Sequence, residues 1–239
     1  MSDAYQSGAY AQANPDWHEA DAPHKAAVLA EVVHTLGWSP RTVVDVGCGT
    51  GAVLAAFVET LRRDRPDATG EGWDPSPEAI RRAKEHEGSG LRFHQGDFLQ
   101  QATHAELALC VDVFEHVPDD LGFLTALRDR ADRFLFRIPL DLSALDLLRP
   151  RRLLDARRSL LHRHVYTREL ALDLLERAGY RADHVRFDRV PPPRDTVRRQ
   201  LVDAVRRASF AAWPEATVRA LGGWSLVVAA TPDQSTSNR

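Results

Sequence analysis

Three glycines at alternate positions, Gly47, Gly49 and Gly51, follow a short apolar run and precede a helical pattern. Glycine there lets a ligand approach the backbone closely and meet its N–H groups. The N-terminus of the following helix adds partial positive charge. Alone, such a turn could equally be a plain strand-to-helix connection. Three carboxylates narrow the choice. Asp45 lies two residues before the first glycine. An anion there suits a ligand with an ammonium or another donor, and repels a pyrophosphate. Asp74, 23 residues beyond Gly51, can accept from both hydroxyls of a ribose. Asp97, directly after Gly96, can accept from an exocyclic amine such as that of adenine. Each could singly be a helix cap or a surface acid. Together, in this order, they mark a ligand site.

That chemistry needs strands ending beneath these residues. Residues 42–46, Thr-Val-Val-Asp-Val, read as a buried strand. Residues 69–74 read as a weaker one, diluted by Gly70 and Gly72, and residues 91–95, 107–112 and 133–138 as three more. Helical patterns span 23–36, ended by Gly37, then 53–61 and 119–129. Ser76, Pro77 and Glu78 open another that runs to Ala83. Strands alternating with helices predict a parallel sheet covered on both faces. Asp45, Asp74 and Asp97 then sit at the carboxyl ends of neighbouring strands, where open α/β sheets bind ligands.

The rhythm breaks beyond residue 141. Residues 142–161 read as a helical insertion rich in Leu and Arg. Its Leu145, Leu148, Leu153 and Leu154 suggest an apolar wall for a substrate. Thr167 caps a helix ended by Gly179, residues 181–190 read as a strand, and Pro191–Pro193 form a rigid stop. An amphipathic stretch, 196–210, and a last strand, 224–230, follow. The expected organisation is one domain, 22–231, with insertions at 142–161 and 191–222. An irregular arm, 1–21, holds Tyr5, Tyr10 and Trp17, and residues 232–239 form a disordered tail.

Composition excludes several classes. A length of 239 residues is one full α/β domain or two small ones. A net charge of −3 carries no basic excess, so nucleic acid is not the expected partner. The first twenty residues hold no apolar segment like that of a signal peptide, and no apolar run approaches a membrane span. Two cysteines, Cys48 and Cys110, make no disulfide framework, and a reducing, cytoplasmic setting is expected. No His/Cys cluster has metal-ligand spacing, so no metal is expected.

Four motifs carry a resemblance: Asp45-Val-Gly-Cys-Gly-Thr-Gly51, Gly72-Trp-Asp-Pro-Ser-Pro-Glu-Ala-Ile80, Gln95-Gly-Asp-Phe98 and Asp112-Val-Phe-Glu-His-Val-Pro118. With His164-Val-Tyr-Thr-Arg-Glu-Leu170, they resemble the S-adenosylmethionine-dependent methyltransferases of the Rossmann-like class I, over roughly residues 25–231. Asn14-Pro-Asp-Trp-His18, Pro139-Leu-Asp-Leu-Ser143 and Leu221-Gly-Gly-Trp-Ser225 resemble a bacterial small-molecule subgroup. The resemblance implies a doubly wound, mostly parallel seven-stranded sheet in the order 3-2-1-4-5-7-6. Residues 224–230 would form its antiparallel strand, and the insertions a substrate cap. It implies S-adenosyl-L-methionine as cofactor and S-adenosyl-L-homocysteine as product. Gly47, Cys48, Gly49 and Gly51 would line the methionine part, with Asp45 near its ammonium group. Asp74 and Pro75 would meet the ribose, and Asp97 and Phe98 the adenine. Asp112 and Val113 would close the pocket beneath the sulfonium.

Methyl transfer from a sulfonium is an in-line displacement, and a base is needed only for a poorly ionised hydroxyl or a protonated amine. His116 is the candidate base, or else it shapes the pocket rim beside Glu115. His162 or His164 could reach the substrate, or fasten the loop ahead of Tyr166. Trp17 and His18 could form a lid, or simply pack. Cys48 is expected to fill space rather than to act as a nucleophile. Between Arg149 and Arg207 stand 16 arginines against eight acids. They are either solvated helix faces or a rim that attracts an anionic substrate. The stretch 196–210 could cap its own domain, meet a second copy in a homodimer, or lie on a membrane surface. Two other functions compete: a binding protein that holds the same cofactor without transferring methyl, and an NAD-dependent oxidoreductase. The second has a different glycine spacing, G-x-G-x-x-G.

Overall fold

The β-branched run Thr42–Val46 forms strand β1, buried from Val43 to Val46. It lies mid-sheet in a computed structural model that describes residues 17, 19–155, 158, 161–191 and 196–233. The other strands are Thr69–Asp74 (β2), Leu91–Gln95 (β3), Leu107–Val111 (β4), Phe134–Pro139 (β5), Tyr180–Asp188 (β6) and Ser225–Pro232 (β7). They form one seven-stranded sheet in the order β3-β2-β1-β4-β5-β7-β6, as the resemblance implies. β1 to β5 run parallel, and β7 runs antiparallel between β5 and β6.

The helices, in chain order, are Ala22–Thr35 (α1), Ala52–Leu61 (α2), Pro77–Ala83 (α3), Asp120–Arg128 (α4), Ala144–Leu148 (α5), Pro150–Asp155 (α6), Arg168–Arg177 (α7), Val197–Ala212 (α8) and Pro214–Leu221 (α9). On one face of the sheet, Leu29 and Val32 of α1 and Leu54, Phe57 and Val58 of α2 share a core with Leu107, Leu109 and Leu135. On the other, Leu124 and Leu127 of α4 and Leu174 and Leu175 of α7 share a core with Phe134, Phe136 and Ile138. Leu135 thus faces one layer and its two neighbours the other, the period-two pattern of a strand covered on both faces.

The glycines that dilute β2 are there for packing. A Cβ at Gly72 would stand 2.5 Å from the Phe93 ring and 2.8 Å from Cys48 Sγ. β4 stops at Val111 because Asp112 takes a left-handed φ of 55°. The insertion at 142–161 is not one helix. Pro150, which lacks an N–H, starts α6 directly after α5 ends. Of its four leucines, Leu148 and Leu154 are exposed and Leu145 and Leu153 half-buried. Helix α9, between Pro214 and Gly222, was not expected, and β7 continues to Pro232. Residues 234–239 and the arm before Trp17 lie outside the described residues. Helix α8 packs on its own domain through Phe210, which stacks on Trp224, and through Arg206, which donates to the Leu221 and Gly222 carbonyls, while Val197, Leu201 and Val205 stand exposed. No described helix is long and apolar enough to cross a membrane.

Candidate active site

β1 and β4 are where the strand order reverses, and a cavity of about 290 Å³ opens there at the carboxyl ends of the strands. The glycine loop forms one wall. The N–H groups of Gly47 and Cys48 both donate to the Trp73 carbonyl, at 2.7 and 3.1 Å, and so tie the loop to β2. Gly47 has a φ of 80°, and a Cβ there would stand 2.7 Å from Val113. Gly49 differs. At a φ of 54°, its Cβ would meet only the Trp17 ring, at 3.8 Å. It borders the cavity with bare backbone.

Two carboxylates lie beneath this loop. Asp45, 2% exposed, is the penultimate residue of β1, and its Oδ1 is buried without a hydrogen bond. Asp74 ends β2, where Oδ2 accepts from Gly49 N at 3.0 Å and Oδ1 from Ser76 N at 2.8 Å. Burial pushes the Asp45 carboxyl up to about 7, and the nearby Asp74 charge pushes the same way against the pull of Lys25. Burial raises Asp74 to about 6, opposed by its two backbone donors. Two carboxyls whose burial makes ionisation costly, beside a cavity, suit a ligand with donors or positive charge. They oppose a phosphate.

The opposite wall comes from the segment after β4. Asp112 takes hydrogen bonds from Arg137 Nη1 at 2.6 and 2.7 Å and pairs with Lys25 Nζ at 2.9 Å. Arg137, on β5, also donates to Asp188 at 2.8 Å, and Asp188 in turn meets His24 Nε2 at 2.7 Å. Burial alone would raise Asp112, but the charges of Arg137 and Lys25 hold it down at about 2. Next along the chain, Phe114–His116 make one 3-10 turn. The Glu115 carbonyl accepts from the backbone N–H groups of Arg163 and His164, at 2.8 and 3.1 Å. This seats the loop carrying His162 against the turn. The Glu115 side chain is fully buried, and neither of its oxygens accepts a hydrogen bond. Its carboxyl is raised by burial and by the Asp112 charge. His116 is lowered to about 4, by burial first and His162 second, so its imidazole is neutral at pH 7. That is far below the value that suits a lone general base.

Of the residues expected at the site, Trp17, Asp45, Gly47, Cys48, Gly49, Asp74, Asp112, Glu115 and His116 line the cavity. Gly51, Pro75, Asp97, Phe98, Val113 and His164 do not. Gly51 packs against Phe93, and Val113 packs on Gly47. Asp97 Oδ1 accepts from Leu99 N at 3.0 Å and caps the turn that buries Phe98. His164 is fastened to the Val117 carbonyl at 2.9 Å and so holds its loop, the second of the two roles expected for it. His162 is the histidine of that pair which reaches the cavity. His18 lies outside the described residues. The Cys48 thiol is pushed up by burial, as befits a space-filling residue.

Lys25, Arg137 and Asp141 also line the cavity and were missed. Arg137 left one signal, a charge inside the apolar run Phe-Leu-Phe-Arg-Ile. Several arginines expected as free surface are engaged. Arg189 and Arg207 both pair with the buried Asp203, and Arg186 pairs with Glu31.

Comparison with known proteins adds a family. The family model for a methyltransferase domain matches residues 18–185. A trans-aconitate 2-methyltransferase of Mycobacterium sp. (strain KMS) is 34% identical over 85 residues, 35% of this chain and 31% of the relative. The chain therefore matches about a third of that relative's length. Among solved structures, a putative methyltransferase of Haloferax volcanii, in complex with a methyltransferase activator, superposes with a TM-score of 0.63 at 15% identity. The match covers 94% of this chain and 98% of that one. Magnesium protoporphyrin IX methyltransferase of Synechocystis, with bound S-adenosylhomocysteine, gives a TM-score of 0.57 at 15% identity, over 88% of this chain and 84% of that one. At such identities these two speak for the fold.

Proposed function

The chain belongs to the methyltransferase-domain family, and from that premise we propose that it is a class I enzyme transferring methyl from S-adenosylmethionine to a small molecule. The observation that carries this reading is the pair of buried carboxylates beneath the glycine loop, one with an oxygen lacking any hydrogen bond. They fit the cofactor's donors. Asp45 would accept from its ammonium group, and Asp74 from its ribose hydroxyls. Bare backbone at Gly49 would let the methionine part lie close. Asp97 and Phe98 would meet the adenine, a role that rests on the resemblance alone. When bound, the cofactor supplies an electrophilic methyl group on sulfur.

The chain's own contribution is position and proton handling. Arg137 and Lys25 keep Asp112 ionised and fixed at the mouth of β4. The wall of Glu115, His116 and His162 would hold the acceptor opposite the loop. His116, neutral at pH 7, would not take the proton of a hydroxyl acceptor unaided. The finer reading, an anionic or secondary-metabolite acceptor, rests on the arginine count of segment 149–207 alone, since the described arginines of that segment do not line the cavity and Arg186, Arg189 and Arg207 pair with acids. It predicts that kcat/KM falls as salt rises.

Calorimetry with S-adenosylmethionine, S-adenosylhomocysteine and NAD tests the cofactor. Binding of the first two and not of NAD is expected. Binding of NAD alone would overturn the reading, and the opposition of the two acids to pyrophosphate argues against it. Absence of S-adenosylhomocysteine formation with every acceptor in a broad screen would favour the non-methylating alternative.

A further inference from the structure

We propose that Glu115, His116 and His162 bind a divalent transition-metal ion on the acceptor side of the cavity, with Asp141 orienting His162. One ligand atom from each of the three residues can be chosen so that all lie within 4.8 Å of one another. A first-row ion about 2.1 Å from each ligand needs separations of roughly 3 to 4 Å, within reach of small side-chain rotations. The three residues come from two distant stretches of chain. The paired hydrogen bonds from Arg163 and His164 to the Glu115 carbonyl bring those stretches together.

Each side chain is set up as a ligand. The Glu115 carboxyl is 0% exposed, and neither oxygen accepts a hydrogen bond. Its nearest imidazole nitrogen, His116 Nε2, is 3.8 Å away, beyond hydrogen-bond reach. A buried carboxyl left this way needs a reason, and a cation supplies one. His116 Nδ1 lies 3.4 Å from the Leu161 carbonyl, and its Nε2 faces Glu115 Oε1 at 3.8 Å. His162 Nδ1 lies 2.5 Å from Asp141 Oδ2. With the carboxylate accepting, the His162 proton sits on Nδ1 and its Nε2 keeps a lone pair. A carboxylate behind a histidine is the usual support of a metal ligand, fixing tautomer and orientation. Two imidazoles and one carboxylate suit zinc, manganese, iron or cobalt better than magnesium or calcium, which prefer all-oxygen sites.

Three protein ligands leave positions open to a substrate oxygen. On the reading of the chain as a methyltransferase, which this role rests on, the ion holds a hydroxylated acceptor. Its hydroxyl loses a proton to water through the open cavity, and the oxygen stays on the ion as an alkoxide. That oxygen forms the new bond to the methyl carbon, and the electron pair of the broken S–C bond remains on sulfur. The acceptor class is thus an alcohol, phenol or hydroxy acid rather than an amine.

The test titrates cobalt(II) into the full, chelator-treated chain without S-adenosylmethionine, following visible absorption and calorimetry. One ion per chain is expected, with the absorption of a site holding nitrogen and oxygen ligands. Glu115→Gln and His162→Gln should each weaken binding at least ~10-fold, and Asp141→Asn by about 10-fold. Asp141 is partly exposed, so its variant keeps the test open if a core variant fails to fold. Absence of cobalt binding, or equal affinity in the wild type and all folded variants, overturns the site. S-adenosylhomocysteine binding is scored separately. If it fails while cobalt binds and the variants lose cobalt, the methyltransferase reading falls and the ion site stands.

Discussion

Replacing Asp45 by Asn should stabilise the ligand-free protein and weaken cofactor binding at once. Asp45 is 2% exposed, with Oδ1 lacking a hydrogen bond, and its carboxyl is raised from 3.8 to about 7. One pKa unit is worth about 1.4 kcal/mol, so holding this group ionised in the fold costs up to about 4 kcal/mol at alkaline pH. The sign follows from the folded value lying above the unfolded one. Between 3.8 and about 7 the unfolded chain has already released its proton while the fold still keeps it, so stability falls as pH rises through that window. Asn removes the charge and the window with it. Any fixed penalty for burying the amide is the same at every pH and cancels in a comparison. The gain from Asp45→Asn should therefore be larger at about pH 8 than at about pH 5, by roughly 1–3 kcal/mol. Urea denaturation at both pH values measures it. Calorimetry with S-adenosylhomocysteine on the same variant should show a loss of about 1.5–3 kcal/mol, the worth of a hydrogen bond to a charged group. A stability change independent of pH, or unchanged affinity, would refute the reasoning.

Further outcomes are expected elsewhere in the site. Gly47→Ala puts a Cβ 2.7 Å from Val113 at a φ of 80°, so it should lose both stability and cofactor binding; adding Val113→Ala should restore part of the stability in a melting curve. Arg137→Met leaves Asp112 and Asp188 without their shared partner and should destabilise by about 3–5 kcal/mol in chemical denaturation. Removing residues 1–20 takes away Trp17, which lines the cavity beside Gly49. The shortened chain should still bind S-adenosylmethionine yet lose turnover more than ~10-fold, equivalent to about 1.4 kcal/mol of transition-state stabilisation. Equal turnover by both chains would show that the arm is no lid.

The glycine-loop side of the cavity was legible in the sequence because its residues are local to strand ends. Gly47, Gly49, Asp45 and Asp74 lie on two adjacent parallel strands and their loops, so spacing along the chain translates directly into space. Even the weak signal of β2 had a packing cause, since Phe93 and Cys48 occupy the room a side chain at Gly72 would need. On the opposite wall Glu115, His116 and His162 were legible one by one, but their meeting in one cluster was not. His162 meets Glu115 and His116 across more than forty residues, through two backbone hydrogen bonds that no side-chain pattern announces. Spacing along the chain therefore hid a cluster that exists only in space. Arg137 was hidden for a related reason. Buried in β5, it answers Asp112 and Asp188 on other segments, and a strand pattern records only its oddity. Of the four leucines expected as an apolar wall, Leu148 and Leu154 are exposed and Leu145 and Leu153 half-buried, because Pro150 splits the insertion into two short helices.

A crystal structure of the chain with S-adenosylhomocysteine tests the central claim most directly. The account predicts the ligand's ammonium group within hydrogen-bond distance of Asp45, its ribose hydroxyls on Asp74, and its sulfur facing the wall of Glu115, His116 and His162. A ligand seated away from the glycine loop, or one whose ammonium and ribose groups touch neither acid, would contradict it.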